Sequence, residues 1–157
     1  MKLITYIFIS LIVTTVCQQN AWRGIVPLRS TRADVERILG RPAPYSKATD
    51  AADYITENER VFVLYSTGPC AVEPSNGWDV PHETVITMSV EPKIKPKLSD
   101  LKLDKSKYKE SRDPEVLDFI YYTNEEDGIS LETREGLVTA FNYWPTAKER
   151  SLICPKP

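Results

Sequence analysis

The sequence predicts an α+β domain in which one short helix packs on an antiparallel β-sheet. Three observations carry that prediction. Residues 31–39 form the one clear capped amphipathic stretch. Several short runs rich in β-branched and aromatic residues follow it, separated by polar turns. Twelve prolines and six glycines in 157 residues favour turns over long helices. Hydrophobic residues make up 41% and charged residues 27%, a globular balance that excludes a disordered chain or a coiled coil. The formal net charge of −2 gives no global attraction to nucleic acid or an anionic membrane.

Taken in chain order, the first element is a leader. Lys2 supplies a positive start, and Leu3 to Val16 are apolar apart from scattered hydroxyls. That pattern predicts a secretory signal peptide over residues 1–17, too short for a comfortable membrane span. Cleavage after Cys17 would place Thr15 and Cys17 at the two small-residue positions. The alternative is a lipoprotein signal with Cys17 lipidated, but Val16 stands where a small residue is normally required. The expected localisation is therefore secreted or periplasmic, with an outer-membrane lipoprotein as the alternative. Loss of the leader removes Lys2 and no acid, lowering the formal charge from −2 to −3. It also leaves Cys70 and Cys154, an even pair that predicts one disulfide in an exported chain. Closing so long a loop is worth about 4–5 kcal/mol at most on the chain-entropy model.

A single α+β domain is expected over residues 22–157. Trp22 to Leu28 reads as an extended entry strand or ordered arm. The helix follows, with Thr31 as its cap and Asp34 in its first turn, where an acid suits the dipole. Val35, Ile38 and Leu39 make one apolar stripe, Gly40 suits the left-handed end, and Pro42 stops continuation. A helix this short is unstable alone, so its stripe must pack on a sheet. Strands are expected at 53–55, 60–66, 83–90, 119–122, 129–133 and 137–143, in a sheet of five to seven strands. Asn124 to Gly128 and Arg134 to Gly136 turn the last three into a meander. Pro92 to Pro114, with seven lysines from Lys93 to Lys109, reads as a crossover with a short helix. Lys148 to Leu152 reads as a helical turn before Cys154. The order helix, strands, weaker helix, strands hints at a weak internal duplication.

The string Thr31-x-x-x-Val35-x-x-x-Leu39-Gly40-x-Pro42 resembles the helix signature of SmpA/OmlA-type small outer-membrane lipoproteins, which share their fold with the beta-lactamase-inhibitor proteins. The string from Trp22 to Pro42 is also similar to uncharacterised exported bacterial proteins. The first resemblance implies a helical layer on a short antiparallel sheet and a protein-binding or assembly role without catalysis. The second implies no function.

The residues themselves suggest little chemistry. His82 is the only histidine, and beside Pro81 in a loop it reads first as a solvated residue. There is no Gly-x-Ser-x-Gly, phosphate-cradling glycine loop or His-Glu-x-x-His, so no catalytic residue, metal or cofactor is assigned. Asn124 to Gly128 lacks the ligand spacing of a calcium loop. The lysine-rich stretch reads first as a solvated crossover, because aspartates interrupt it and the protein is acidic overall, with binding of polyanions or lipid headgroups as the alternative. The binding candidates are Trp78, His82, Tyr143 and Trp144. Neighbouring strand residues point to opposite faces, so Tyr143 and Trp144 cannot both face the core. The leading expectation is an exported non-catalytic binding or assembly module of the bacterial envelope, partnered by another envelope protein and not by nucleic acid. A small secreted hydrolase or ligand-binding domain with a site in the 67–82 loop is one alternative. A secreted inhibitor-like domain is the other. Peripheral membrane association is expected only if Cys17 is lipidated.

Overall fold

The computed structural model describes residues 20–43, 50–71, 77–112, 114, 116 and 118–155. The expected leader and Cys17 lie outside the described residues. Helix α1 spans Arg32–Leu39. The strands are β1 (Ala51–Ile55), β2 (Glu59–Tyr65), β3 (Val85–Pro92), β4 (Lys109–Arg112), β5 (Phe119–Asn124), β6 (Ile129–Arg134) and β7 (Leu137–Tyr143). All seven join one antiparallel sheet in the order β1-β2-β3-β7-β6-β5-β4. Among the described residues no helix is long and apolar enough to cross a membrane.

The α+β class therefore holds, with the balance mostly β. Helix α1 begins as its sequence dictates. The Thr31 hydroxyl accepts from the Asp34 amide, and Asp34 in turn accepts from the Thr31 amide at 3.0 Å. This reciprocal cap, together with Arg37 at 2.9 Å, holds the Asp34 carboxyl down at about 2. Val35 is fully buried, with Ile38 and Leu39 packed against the same core. Burial of one valine contributes about 1.5–3 kcal/mol, and here it anchors the helix to the sheet.

The core beneath α1 comes from alternate strand residues. Tyr54 on β1, Val61, Val63 and Tyr65 on β2, and Met88 and Val90 on β3 share one face, as their pairing requires. The entry arm adds Ile25, fully buried. The Tyr54 and Tyr65 hydroxyls meet at 2.7 Å inside this core. The Arg32 guanidinium lies 4.2 Å from the Tyr65 ring and pairs with Glu83 at 2.7 Å. Burial pushes both phenols upward.

The 93–108 segment runs beside the second half of the sheet, with Leu103 and Tyr108 near Asn124 and Ile129. Residues 96–98 pair beside the β7 start, with Leu98 N donating to Gly136 O at 2.9 Å and Val138 N to Pro96 O at 2.8 Å. Leu101, Leu103 and Tyr108 are half-buried. The crossover holds two short 3₁₀ turns, Leu98–Leu101 and Lys105–Lys107, where one short helix was expected. It then supplies β4, a strand the sequence reading omits. Lys-Glu-Ser-Arg has no apolar alternation, and all four residues are exposed. A charged edge strand blunts edge-to-edge association.

Candidate aromatic cleft

The end of the sheet where β7 stops and β5 turns into β6 carries the candidate site. The β5–β6 turn is built by Asn124, which donates to Asp127 Oδ2 at 2.7 Å and accepts from the Asp127 amide at 3.1 Å. Gly128 closes it with φ +62°, and a Cβ there would run into the Trp144 carbonyl oxygen. The Trp144 amide donates to Gly128 O at 2.9 Å. Buried Asn20 donates to Trp144 O at 3.4 Å. The main chain of Trp144 is thus held from both sides as it leaves β7.

Pro145 is buried, and Thr146 then starts a 3₁₀ turn, Ala147–Leu152. Glu149 accepts from the Thr146 amide at 2.8 Å, which fixes the turn. The tail next runs beside 77–79. Asp79 N donates to Leu152 O at 2.7 Å, and Cys154 N to Gly77 O at 2.9 Å. Trp78 bridges Ile153. The expected Cys70–Cys154 disulfide closes the arrangement, with a Cα–Cα distance of 5.4 Å. The Cys70 amide donates to Asp79 Oδ1 at 3.3 Å.

These connections create a cleft of about 330 Å³. Trp78, Trp144, Pro145 and Ile153 supply its apolar lining, and Thr123, Thr146, Glu125 and Arg150 its polar groups. Ile153 is 49% exposed and both tryptophans are half-buried. A rigid pair of indoles beside one cation, one carboxylate and two hydroxyls suits non-covalent recognition. Thr123 and Glu125 also line a wider adjoining groove, where Lys107, Lys109 and Lys148 face Glu126 and Asp127.

The structure separates the four binding candidates. Trp78 and Trp144 meet in the cleft. Tyr143 points the other way, into the core on the Met88 side, and burial pushes its phenol up to about 12. Tyr143 therefore contributes packing beneath the cleft. His82 is exposed on the Pro81–Thr84 turn before β3, outside the described lining. Residues 72–76 of the 67–82 loop lie outside the described residues. Ile153, Arg150 and Glu125 were missed because each is unremarkable in sequence. The disulfide was the available signal, since pairing Cys70 with Cys154 draws the tail against Trp78. Among the described residues no group of three His, Cys, Asp or Glu side chains could hold a metal ion.

No protein-family model, curated protein or solved structure matches this chain.

Proposed function

We propose that this chain is an exported, non-catalytic binding module of the bacterial envelope that holds a partner protein at the Trp78–Trp144 cleft. The carrying observation is the convergence of two tryptophans and a half-exposed isoleucine on one cleft, fixed by a disulfide and a short backbone ladder. Half-buried aromatic anchors on a rigid frame are what protein recognition uses. The leader of residues 1–17 and a disulfide suited to an oxidising compartment support export. The SmpA/OmlA-like string at 31–42 supports an assembly role. Chain order runs outward in reverse on both sides of the β3–β7 pair, through three strands on one side and four on the other, which supports the reading of two weakly related halves. A glycoside hydrolase would use two carboxylates across its substrate, whereas Glu125 is the one carboxylate among the described lining residues of the cleft.

The test is capture from envelope extract with the native chain and with Trp78→Ala/Trp144→Ala as baits. The proposal predicts envelope proteins retained by the native bait and lost from the variant. Equal retention by both, or by neither, contradicts it.

A further inference from the structure

The lysine-rich crossover has a property its sequence alone does not reveal. Residues 93–109 hold seven lysines against two aspartates, a local charge of +5, so the rest of the chain carries −7. Every ion pair between described residues uses an arginine. Lys95, Lys97, Lys102, Lys105, Lys107 and Lys109 are all exposed and enter none of those pairs. The interrupting aspartates are engaged locally. Asp104 accepts from the Ser106 hydroxyl at 2.6 Å, and Asp100 from that of Ser99 at 3.2 Å. The strap is also ordered in advance, since its leucines are half-buried and its backbone is pinned to Gly136, Val138 and Asn58. Between its first two lysines stands Ile94, 88% exposed.

We infer that the first part of this strap is a docking surface for an anionic phospholipid membrane, with Ile94 entering the headgroup boundary and Lys95, Lys97 and Lys102 facing the lipid phosphates, whereas Lys107 and Lys109 face Glu126 and Asp127. An aliphatic side chain held outward among cations is the pattern of interfacial attachment. Each lysine near an anionic surface strengthens binding about fivefold. The absence of arginine from the strap suits diffuse attraction to many headgroups, because a planar fork is what selects one phosphate geometry. Nucleic acid is the less suited polyanion. Tyr108, the strap's one aromatic residue, is half-buried and offers no open stacking surface. This attachment needs no lipid on Cys17 and is separate from the tryptophan cleft.

The test is co-sedimentation of the full chain with phosphatidylcholine vesicles and with vesicles containing about one-third phosphatidylglycerol. Native chain and variants share the same leader, so their comparison isolates the strap. The expected result is stronger partition onto anionic vesicles, weakening as salt rises to about 0.15 M. Lys95→Gln/Lys97→Gln/Lys102→Gln lowers that partition about a hundredfold. Ile94→Asn lowers it about tenfold and leaves the salt dependence unchanged. Equal partition onto both vesicle types, or an unchanged triple variant, overturns the inference. Capture of duplex DNA at concentrations where anionic vesicles retain nothing overturns it in favour of nucleic acid.

Discussion

Gly128 and Gly136 allow a direct test of how the cleft is built. Both adopt positive φ, at +62° and +76°. An alanine at Gly136 meets no atom within 4 Å, so its cost is conformational, about 1–2 kcal/mol for a left-handed residue. An alanine at Gly128 bears the same conformational cost. Its Cβ also meets the Trp144 carbonyl oxygen, with the Trp144 and Pro145 carbonyl carbons at 3.3 and 3.4 Å. Backbone, unlike a flexible side-chain tip, yields only by shifting the strand exit, which adds about 1–3 kcal/mol. Gly128→Ala is therefore expected to destabilise by about 2–5 kcal/mol and to exceed Gly136→Ala by about 1–3 kcal/mol. Urea unfolding followed by far-ultraviolet circular dichroism measures both. Tryptophan emission of the folded state should shift in Gly128→Ala alone, because only that change displaces Trp144. Equal destabilisation by the two alanines, with no emission shift, would refute this account of the cleft.

Three further outcomes follow from the same structure. The depressed Asp34 carboxyl stabilises the fold fully above its ordinary value of 3.8, and that contribution is lost as pH falls toward about 2. The urea midpoint should drop across that window, and Asp34→Asn should flatten the drop. The Tyr54, Tyr65 and Tyr143 phenols are raised, so the fold favours their neutral forms and loses stability as pH climbs above about 10. In a titration followed by phenolate absorbance these three should ionise only with unfolding, and Tyr143→Phe should soften the alkaline decline. Reduction of Cys70–Cys154, or Cys70→Ser/Cys154→Ser, should cost up to about 4–5 kcal/mol and free the tail from Trp78. Chemical denaturation with and without a thiol reductant measures the first effect, and acrylamide quenching of tryptophan the second.

Much of the fold is legible because local and global signals agree. Thr31, Asp34 and Gly40 mark the ends of α1, and its stripe faces the core. The alternation of Val61, Val63 and Tyr65 and the turns at 124–128 and 134–136 fix strands and meander. Strand β4 is not legible, since three charged residues and a serine become a strand only because β5 offers a ladder. The sheet order is not legible either. The β3–β7 pairing joins residues far apart in sequence, and no local pattern encodes it. At the site, Trp78 and Trp144 were visible as aromatics in exposed surroundings. Ile153 and Arg150 gain their place only when the tail is drawn back by the disulfide. Tyr143 and Trp144 divide between core and surface as neighbouring strand residues must.

The covalent tie between the 70–78 loop and the tail sets the cleft, and mass spectrometry of the protein expressed with its leader examines that tie most directly. The expected result is one crosslinked peptide pair containing Cys70 and Cys154, resolved into two by reduction, in a chain that has lost its N-terminal residues. Two free thiols at 70 and 154, or a crosslink from either to Cys17, would contradict it.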